Sequence, residues 1–505
     1  MVCKKACPVV VIQRFMLLLS RKEARKLDSY LSGSIGIPAD ILAERAGIAL
    51  AKACLVRISG QQIPDPKVVV YAGKGMNGAD ALVCARELAG RGIRPVIRMA
   101  SDGSDDAMKW QIRACRNLGL DIIASNDTGM IDNKVPDVII DGSFGTAFDV
   151  SRHIDQYHTE IFEEINNSHR KGAYVIAADI PSGVDCDTGV IDKAAVEADE
   201  TITFFAAKAG LFSYPGRSFA GRISIDRLGI PYELIRGFIG GDPDKEISLS
   251  AFTAQDAVDM LPVRRADGHK GTFGKVAVIG GAEGMAGAIF LCGEACYRSG
   301  AGLVCLIVPD NIRELCLSVL PEAITAGALK MLPFVPDVVI AGPGGEKSER
   351  FREEVYEAIL SAPELILDAQ ALRVLADDKS KAKESMRKRL SYGMTHAIIT
   401  PHPGEMKALM PGYDDRDRVA TALEAAKEYQ CVCVLKGAGT VTADPDGKAV
   451  INTTGNSSMA KGGSGDILSG IIGALLAQGL RGIRAASTGV DRKSTRLNSS
   501  HGKLS

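Results

Sequence analysis

Short, almost unbroken apolar runs recur along the chain at helix-length intervals, and the series occurs twice. The first comprises KVVVYAG at Lys67, PVIRMA at Pro95, DVIIDGSFG at Asp137, AYVIAADIPSG at Ala173, TITFFAAK at Thr201 and GRISIDRLGI at Gly221. The second comprises KVAVIGG at Lys275, LVCLIVP at Leu303, DVVIAGPG at Asp337, LILDAQAL at Leu365, AIITPHPGE at Ala397 and CVCVLKGAGT at Cys431. A strand with one wet face alternates apolar and polar residues, whereas a run without alternation is covered on both faces, as in parallel sheets between helical layers. The fold class expected is therefore α/β with two doubly wound domains. A hairpin follows the second series, TVTADPDGKAVINTT with its turn at Asp444 to Gly447. After it, Gly463-Ser464-Gly465-Asp466 opens an apolar helix that the pattern starts near Ile467.

The spacing divides the 505 residues into an N-terminal extension (1–15), a first domain (16–236), a linker (237–250), a second domain (251–490) and a tail (491–505). The linker GFIGGDPDKEIS combines glycine and charge with little apolar content. Met16 is the expected natural start, because Arg14 interrupts the apolar run PVVVIQRFMLLLS and no small-residue cleavage site follows. The tail DRKSTRLNSSHGKLS reads as polar and aperiodic, an assembly artefact that leaves the second domain short of its closing helices.

Composition matters mainly for what it excludes. A formal net charge of -1 with interleaved acids and bases gives no basic stripe for nucleic acid. The stretch Ile467 to Leu480 is too short for a bilayer and carries Gly470, Gly473 and Gln478, so no membrane partner is expected. The 12 cysteines are scattered, several within apolar runs, which fits a reducing cytoplasm. Cys292 and Cys296 lie one helical turn apart without a second pair or a nearby histidine, so zinc is not expected.

In parallel sheets ligands bind at the carboxyl ends of the strands, and there the sequence gathers its polar residues. In the first half GKGMNGADAL, DGSFGTAF and ADIPSGVDCDTG bring Asn77, Asp80, Asp141, Asp179 and Ser182, oxygen ligands for a hard cation and a carboxylate for acid–base work. Each alone reads as a cap or turn former. In the second half GGAEGMAGA lacks the spacing of a dinucleotide fingerprint. Lys436-Gly437-Ala438-Gly439-Thr440 can hold a nucleotide, and His402 with Glu405 can line a substrate pocket or organise a magnesium-water shell. His402 alone reads as a turn residue between two prolines. Asp466 stands at a helix start, where N–H groups and the dipole attract phosphate. A carboxylate there suits removal of a proton from a hydroxyl being phosphorylated; the simpler reading is a helix N-cap.

On these residues the chain resembles the bifunctional NAD(P)H-hydrate repair enzymes, from about residue 16 to 490. The motifs are HKGTFGKVAVIGG, GMAGAIFLCGEACYRSGAGLV, AGPG, LDAQAL, TPHPGE, LKGAGT and TGNSSMAKGGSGDILSGIIGALLAQGL, with the three loop motifs of the first half. The resemblance implies a Rossmann-like NAD(P)HX epimerase domain followed by a ribokinase-like, ADP- or ATP-dependent NAD(P)HX dehydratase domain. In the first, Asn77, Asp141 and Ser182 would hold K+, and Met76, Asn77, Gly78, Ala79, Asp80, Gly145, Thr146 and Asp179 the hydrate. In the second, Ala288, Gly344, His402 and Asp466 would contact the hydrate. Lys436, Gly437, Ala438, Gly439, Thr440 and Gly465 would contact the adenine nucleotide, which arrives with Mg2+. Asp466 is the expected base for the C6 hydroxyl and Asp179 the acid–base group of epimerisation, through either a ring-opened or a dehydrated intermediate. A cytoplasmic homo-oligomer is expected. Where the family reads NNGGDG this chain has MNGADA, and Ala147 stands where the family has glycine. The alternatives are a ribokinase-like small-molecule kinase, or a dehydratase with a non-catalytic dinucleotide-binding module.

Overall fold

In the computed structural model, which describes residues 15–100, 106–124, 134–240 and 248–499, the apolar runs form strands whose residues are buried almost without exception. The chain separates into two compact units, one from Leu17 to Leu249 and one from Ser250 onward.

The strands of the first unit are β1 (Met16–Leu19), β2 (Val68–Ala72), β3 (Val96–Met99), β4 (Ile122–Ile123), β5 (Val138–Gly142), β6 (Tyr174–Ala178), β7 (Glu200–Phe204), β8 (Ala207–Lys208) and β9 (Arg222–Asp226). Seven form a sheet of order β4-β3-β2-β5-β6-β7-β9, parallel throughout. β1 pairs in parallel with β8. Val68, Val70, Val138 and Ile140 pack on one face, and Val69, Tyr71, Ile139 and Val175 on the other. The strand order turns around between β2 and β5, the switch point that opens a crevice at the carboxyl ends.

The second unit contains β10 (Ser248–Phe252), β11 (Lys275–Ile279), β12 (Leu303–Ile307), β13 (Ile324–Ala326), β14 (Val338–Ala341), β15 (Glu364–Leu367), β16 (Ile398–Ile399), β17 (Val432–Leu435), β18 (Val441–Ala443) and β19 (Lys448–Asn452). Its sheet runs β13-β12-β11-β14-β15-β16-β17-β18-β19-β10. Pairing is parallel as far as β17, and β17-β18-β19 is antiparallel, with the expected hairpin closed at Asp444–Gly447. A buried helix, Ser464–Ala477, lies against this sheet through Leu468, Ile471, Ile472 and Leu475.

Three boundaries differ from the sequence reading. The apolar helix begins at Ser464 rather than near Ile467, because Gly463 takes φ 81° as its N-cap and so ends the loop. Gly237 lies inside helix Tyr232–Gly240 and Ser248 opens β10, while residues 241–247 of the expected linker lie outside the described residues, as do residues 1–14 of the N-terminal extension. The supposedly aperiodic tail continues a helix, Gly482–Ser499, in which Val490, Asp491 and Ser494 are buried on one face and Thr454 Oγ1 donates to Asp491 at 2.8 Å. Among the described residues no helix is long and apolar enough to cross a membrane, and the described cysteines, Cys292 and Cys296 included, are free and buried.

Candidate active sites

In the first unit the loops after β2, β5 and β6 meet at the switch point. Gly73 N donates to Gly142 O at 3.0 Å, which draws the first two loops together. Asn77 begins the helix Met76–Ala89, and its Nδ2 donates to Phe144 O at 2.7 Å and Ala178 O at 2.6 Å, so one amide ties all three. Gly78 packs so closely under Gly73 that an added Cβ would lie 1.9 Å from Gly73 O. Asp141, fully buried, accepts from Ser182 Oγ at 2.7 Å, Ser182 N at 2.9 Å and Ser143 N at 3.2 Å. Burial raises its carboxyl above the ordinary value and the Ser182 bonds work against that rise. The donors on Asp141 are neutral, which suits a carboxylate shared with a cation.

Asp179 follows β6 with φ 65°, a left-handed conformation that a non-glycine residue adopts only where its surroundings hold it. Lys208 Nζ, 2 % exposed, donates to its Oδ1. Asp80 is buried on helix Met76–Ala89, and burial, then Asp179 and Asp28, push its carboxyl well above the ordinary range. Asp28, on helix Arg21–Gly33, keeps a solvent-exposed surface but is crowded by protein, and that crowding together with Asp179 pushes its carboxyl up to about 6. The Thr146 loop is clamped by Arg21, whose Nε donates to Thr146 O at 3.0 Å and whose guanidinium meets Asp185 at 2.5 Å and Asp149 at 3.2 Å. Sequence reasoning named neither Lys208 nor Arg21. Lys208 carried one signal, as the charged end of TITFFAAK. The departures in MNGADA are absorbed by the helix: Ala79 and Ala81 are buried helical positions and Met76 is its exposed first residue. Alanine favours a helix interior over glycine by about 1 kcal/mol.

In the second unit the loops after β14, β15, β16 and β17 surround the start of helix Ser464–Ala477. Asp368, 1 % exposed at the end of β15, accepts from Lys436 Nζ at 2.8 Å and from Ser469 Oγ at 2.8 Å. Burial alone would raise its carboxyl; Lys436, then Ser469, hold it below the ordinary value. Burial likewise opposes the charge on Lys436, but Asp368 and Glu405, whose Oε2 is 3.8 Å away, keep it protonated above the ordinary lysine value. Gly465 lies over this pair: an added Cβ would sit 3.4 Å from Lys436 Nζ and 3.7 Å from Asp368 Oδ2.

Asp466, in the first helical turn, is not the N-cap. Its carboxyl is pushed up to about 6 by burial and by Asp368, with Lys436 pulling the other way. A half-buried carboxylate with a value near neutrality is suited to general-base work. Lys436, the cation beside it, is hydrogen-bonded to Asp368 instead. Asp368 and Ser469 were missing from the sequence reading, although LDAQAL contains the first.

Ala288 and Gly344 adjoin: Gly344 has φ 61°, and an added Cβ would meet Met285 O at 2.4 Å and Ala288 Cβ at 3.1 Å. His402 is the N-cap of helix Pro403–Leu409, its Nδ1 accepting from Gly404 N at 3.0 Å and Glu405 N at 3.2 Å while Glu405 Oε2 accepts from His402 N at 2.8 Å. His402 thus caps a helix instead of standing in a simple turn, and its Nε2 lies 3.5 Å from Glu405 Oε1. The loop Lys436 to Thr440 is braced from below by Arg418, which donates to Leu435 O and Lys436 O, both at 3.1 Å, and Thr440 Oγ1 donates to Gly437 O at 2.9 Å. Gly437 and Ala438 stay exposed and Gly439 half-buried. Among the described residues no three His, Cys, Asp or Glu side chains group to hold a metal ion.

A family model described as NAD(P)H-hydrate dehydratase matches residues 276–498, and one described as the YjeF-related protein N-terminus matches residues 39–210. The bifunctional NAD(P)H-hydrate repair enzyme of Moorella thermoacetica is 33% identical over 93% of this chain and 90% of its own length. That of Escherichia coli is 34% identical over 88% of this chain and 82% of its own. The solved ADP/ATP-dependent NAD(P)H-hydrate dehydratase of Bacillus subtilis, co-crystallized with ATP/Mg2+, is 31% identical and covers 50% of this chain and 91% of its own, with a TM-score of 0.43.

Proposed function

Since the chain belongs to the bifunctional NAD(P)H-hydrate repair enzymes, we propose that its first unit interconverts the R and S hydrates of NADH and NADPH and its second unit dehydrates the S form with ADP or ATP. The observation that carries the second half is the Asp466 carboxyl, pushed up to about 6 beside the Asp368–Lys436 pair.

The hydrate carries a hydroxyl at C6 of its reduced ring, a poor leaving group near neutral pH. Asp466 takes the hydroxyl proton as the oxygen attacks the terminal phosphorus of the nucleotide; the bond from that phosphorus to the bridging oxygen breaks and AMP or ADP departs. The ring nitrogen lone pair then expels phosphate from C6, and loss of a C5 proton restores the dihydronicotinamide. Lys436, fixed by Asp368, offers positive charge beneath Gly465 where the phosphoryl group would pass, and the helix N-terminus adds its dipole. Ala288, Gly344 and His402 would contact the hydrate, and the loop Lys436 to Thr440 with Gly465 the nucleotide. Mg2+ bound to the nucleotide would neutralise phosphate charge, with water and phosphate supplying most of its ligands.

In the first unit Asn77, Asp141 and Ser182 would hold K+. Support for this comes from a buried carboxylate bonded only by neutral donors and from an amide oxygen left over when Asn77 Nδ2 serves two carbonyls. The ion would fix the loop ends and counter the charge of Asp141. Asp179 is the acid–base group: as it takes the C6 hydroxyl proton the C6–N1 bond opens, C6 becomes an aldehyde carbon and the bond's electron pair goes to the ring nitrogen. After rotation about C5–C6 the nitrogen re-forms its bond to the other face of C6 and Asp179 returns the proton to the oxygen.

The test is the ultraviolet absorbance of reduced nicotinamide, followed from mixed R and S NADHX with Mg2+ and either ADP or ATP. Full recovery is expected, accelerated by K+ in its late phase. Recovery that stops once the S form is consumed overturns the epimerase assignment, and stable phosphorylated hydrate with no recovery overturns the dehydratase.

A further inference from the structure

The end of β7 and the two residues of β8 form a closed polar network inside an otherwise apolar wall. Lys208 Nζ donates to Asp179 Oδ1, to Thr203 Oγ1 at 3.0 Å and to Phe204 O at 3.0 Å. An ammonium has three protons, and all three are engaged inside the protein, so Lys208 has none left for a substrate. Asp179 Oδ1 also accepts from Thr203 Oγ1 at 3.1 Å and Phe204 N at 3.0 Å. Three donors thus converge on one carboxylate oxygen, and among the described residues none is directed at Oδ2. The carboxylate has one anchored oxygen and one free one.

We propose that Lys208 is a positioning residue of epimerisation, anchoring Oδ1 of Asp179 so that Oδ2 alone is presented to the C6 hydroxyl of the hydrate; this rests on Asp179 being the acid–base group. The anchor works in two ways. It holds the side chain of a residue whose backbone is at φ 65°, and it sets a positive charge against a carboxylate buried among apolar neighbours. The other ionisable groups facing this pair are Asp28, Asp80 and Cys186, from three different segments. Burial pushes Asp80 and Cys186 well above their ordinary values, and Asp28 is pushed up to about 6.

The test is a double-mutant cycle on the full chain, with R-NADHX epimerisation read as kcat, KM and pH profile, and S-NADHX dehydration by the same preparation as reference. Lys208→Met is expected to lower epimerisation kcat about 100-fold with KM within about 3-fold, and to move the acid limb of the profile to higher pH, since a carboxylate without its cation holds its proton more tightly. Measuring both arms in an Asp28→Asn background removes that group from the profile. In Asp179→Asn protein, Lys208→Met is expected to cost no more than about 3-fold further. Equal losses in both backgrounds, or an unmoved acid limb, overturn the positioning role. An Asp179→Asn enzyme that still epimerises overturns the reading of Asp179 itself, which is a separate outcome. Thr203→Val removes one donor to Oδ1 without leaving a charge unpaired, so it carries the test if Lys208→Met fails to fold. A loss of about 5-fold in kcat that vanishes in the Asp179→Asn background is expected, and a loss that persists there overturns the proposal.

Discussion

Each unit places an aspartate and a lysine at the carboxyl ends of parallel strands, yet the two pairs are wired differently. In the first unit the lysine bonds directly to the aspartate assigned the chemistry, Lys208 to Asp179. In the second it bonds to a neighbour: Lys436 holds Asp368, and Asp466 is left half-buried with its carboxyl pushed up to about 6. The comparison teaches that the nearest cation's hydrogen bonds, more than its presence, set what a carboxylate can do. An anchored carboxylate suits a proton returned to the same substrate. One whose neighbouring cation is bonded elsewhere has its carboxyl at about 6, which suits the base role proposed for it.

The largest effect that would break this comparison is loss of the base. Asp466→Asn is expected to lower dehydration about 1,000-fold or more while R/S exchange continues; near-normal turnover would refute the assignment. In the unaltered enzyme dehydration should fall as pH drops below about 6, as Asp466 takes up its proton. Stability runs the other way. With the folded carboxyl above its ordinary value, the native state binds the extra proton, so this group destabilises the fold above about 6 and ceases to do so as pH falls toward 4. Asp466→Asn should therefore raise the melting temperature of the second unit by ~2 °C near pH 8 and by less at acid pH, which calorimetry would read.

Next in size is Asp368→Asn, which sharpens the comparison by converting the second wiring toward the first. Loss of the Asp368 charge and release of Lys436 to face Asp466 both lower the Asp466 carboxyl, so the acid limb of dehydration should move to lower pH while kcat/KM falls ~30-fold from misplacement of the lysine. An acid limb that stays at its original pH would mean that the Asp368–Lys436 pair does not govern Asp466.

The strands were legible because nearly continuous apolar runs have few other uses, and the strand-end loops were legible because glycine and short polar residues cluster there. The wiring was not. Asp179 and Lys208 are 29 residues apart and Asp368 and Lys436 are 68 apart, so no local spacing joins them, and each lysine ends an apolar run that reads equally well as strand. The helix start moved from near Ile467 to Ser464 because one glycine at positive φ decides where the loop stops. The tail's burial of Asp491 and Ser494 was hidden by its polar composition.

A smaller effect concerns the adjoining residues Ala288 and Gly344, proposed to contact the hydrate. Gly344→Ala would place a methyl 2.4 Å from Met285 O at φ 61°, so the turn must shift. KM for the hydrate is expected to rise about 5-fold with kcat changed less, the factor that ~1 kcal/mol of strain corresponds to in affinity. An unchanged KM would remove this turn from the substrate site.

The smallest effect separates scaffold from contact at His402. Its Nδ1 is committed to capping helix Pro403–Leu409, so only Nε2 remains for the hydrate. His402→Ala should destabilise the second unit by about 1 kcal/mol through loss of the cap, and His402→Asn, which can still accept from the same N–H groups, should restore that stability. If Nε2 also meets the hydrate, the asparagine variant will keep the raised KM of the alanine variant despite its recovered stability. If KM recovers along with stability, His402 serves the second unit only by capping the helix, and Asp466 receives its substrate without help from this loop.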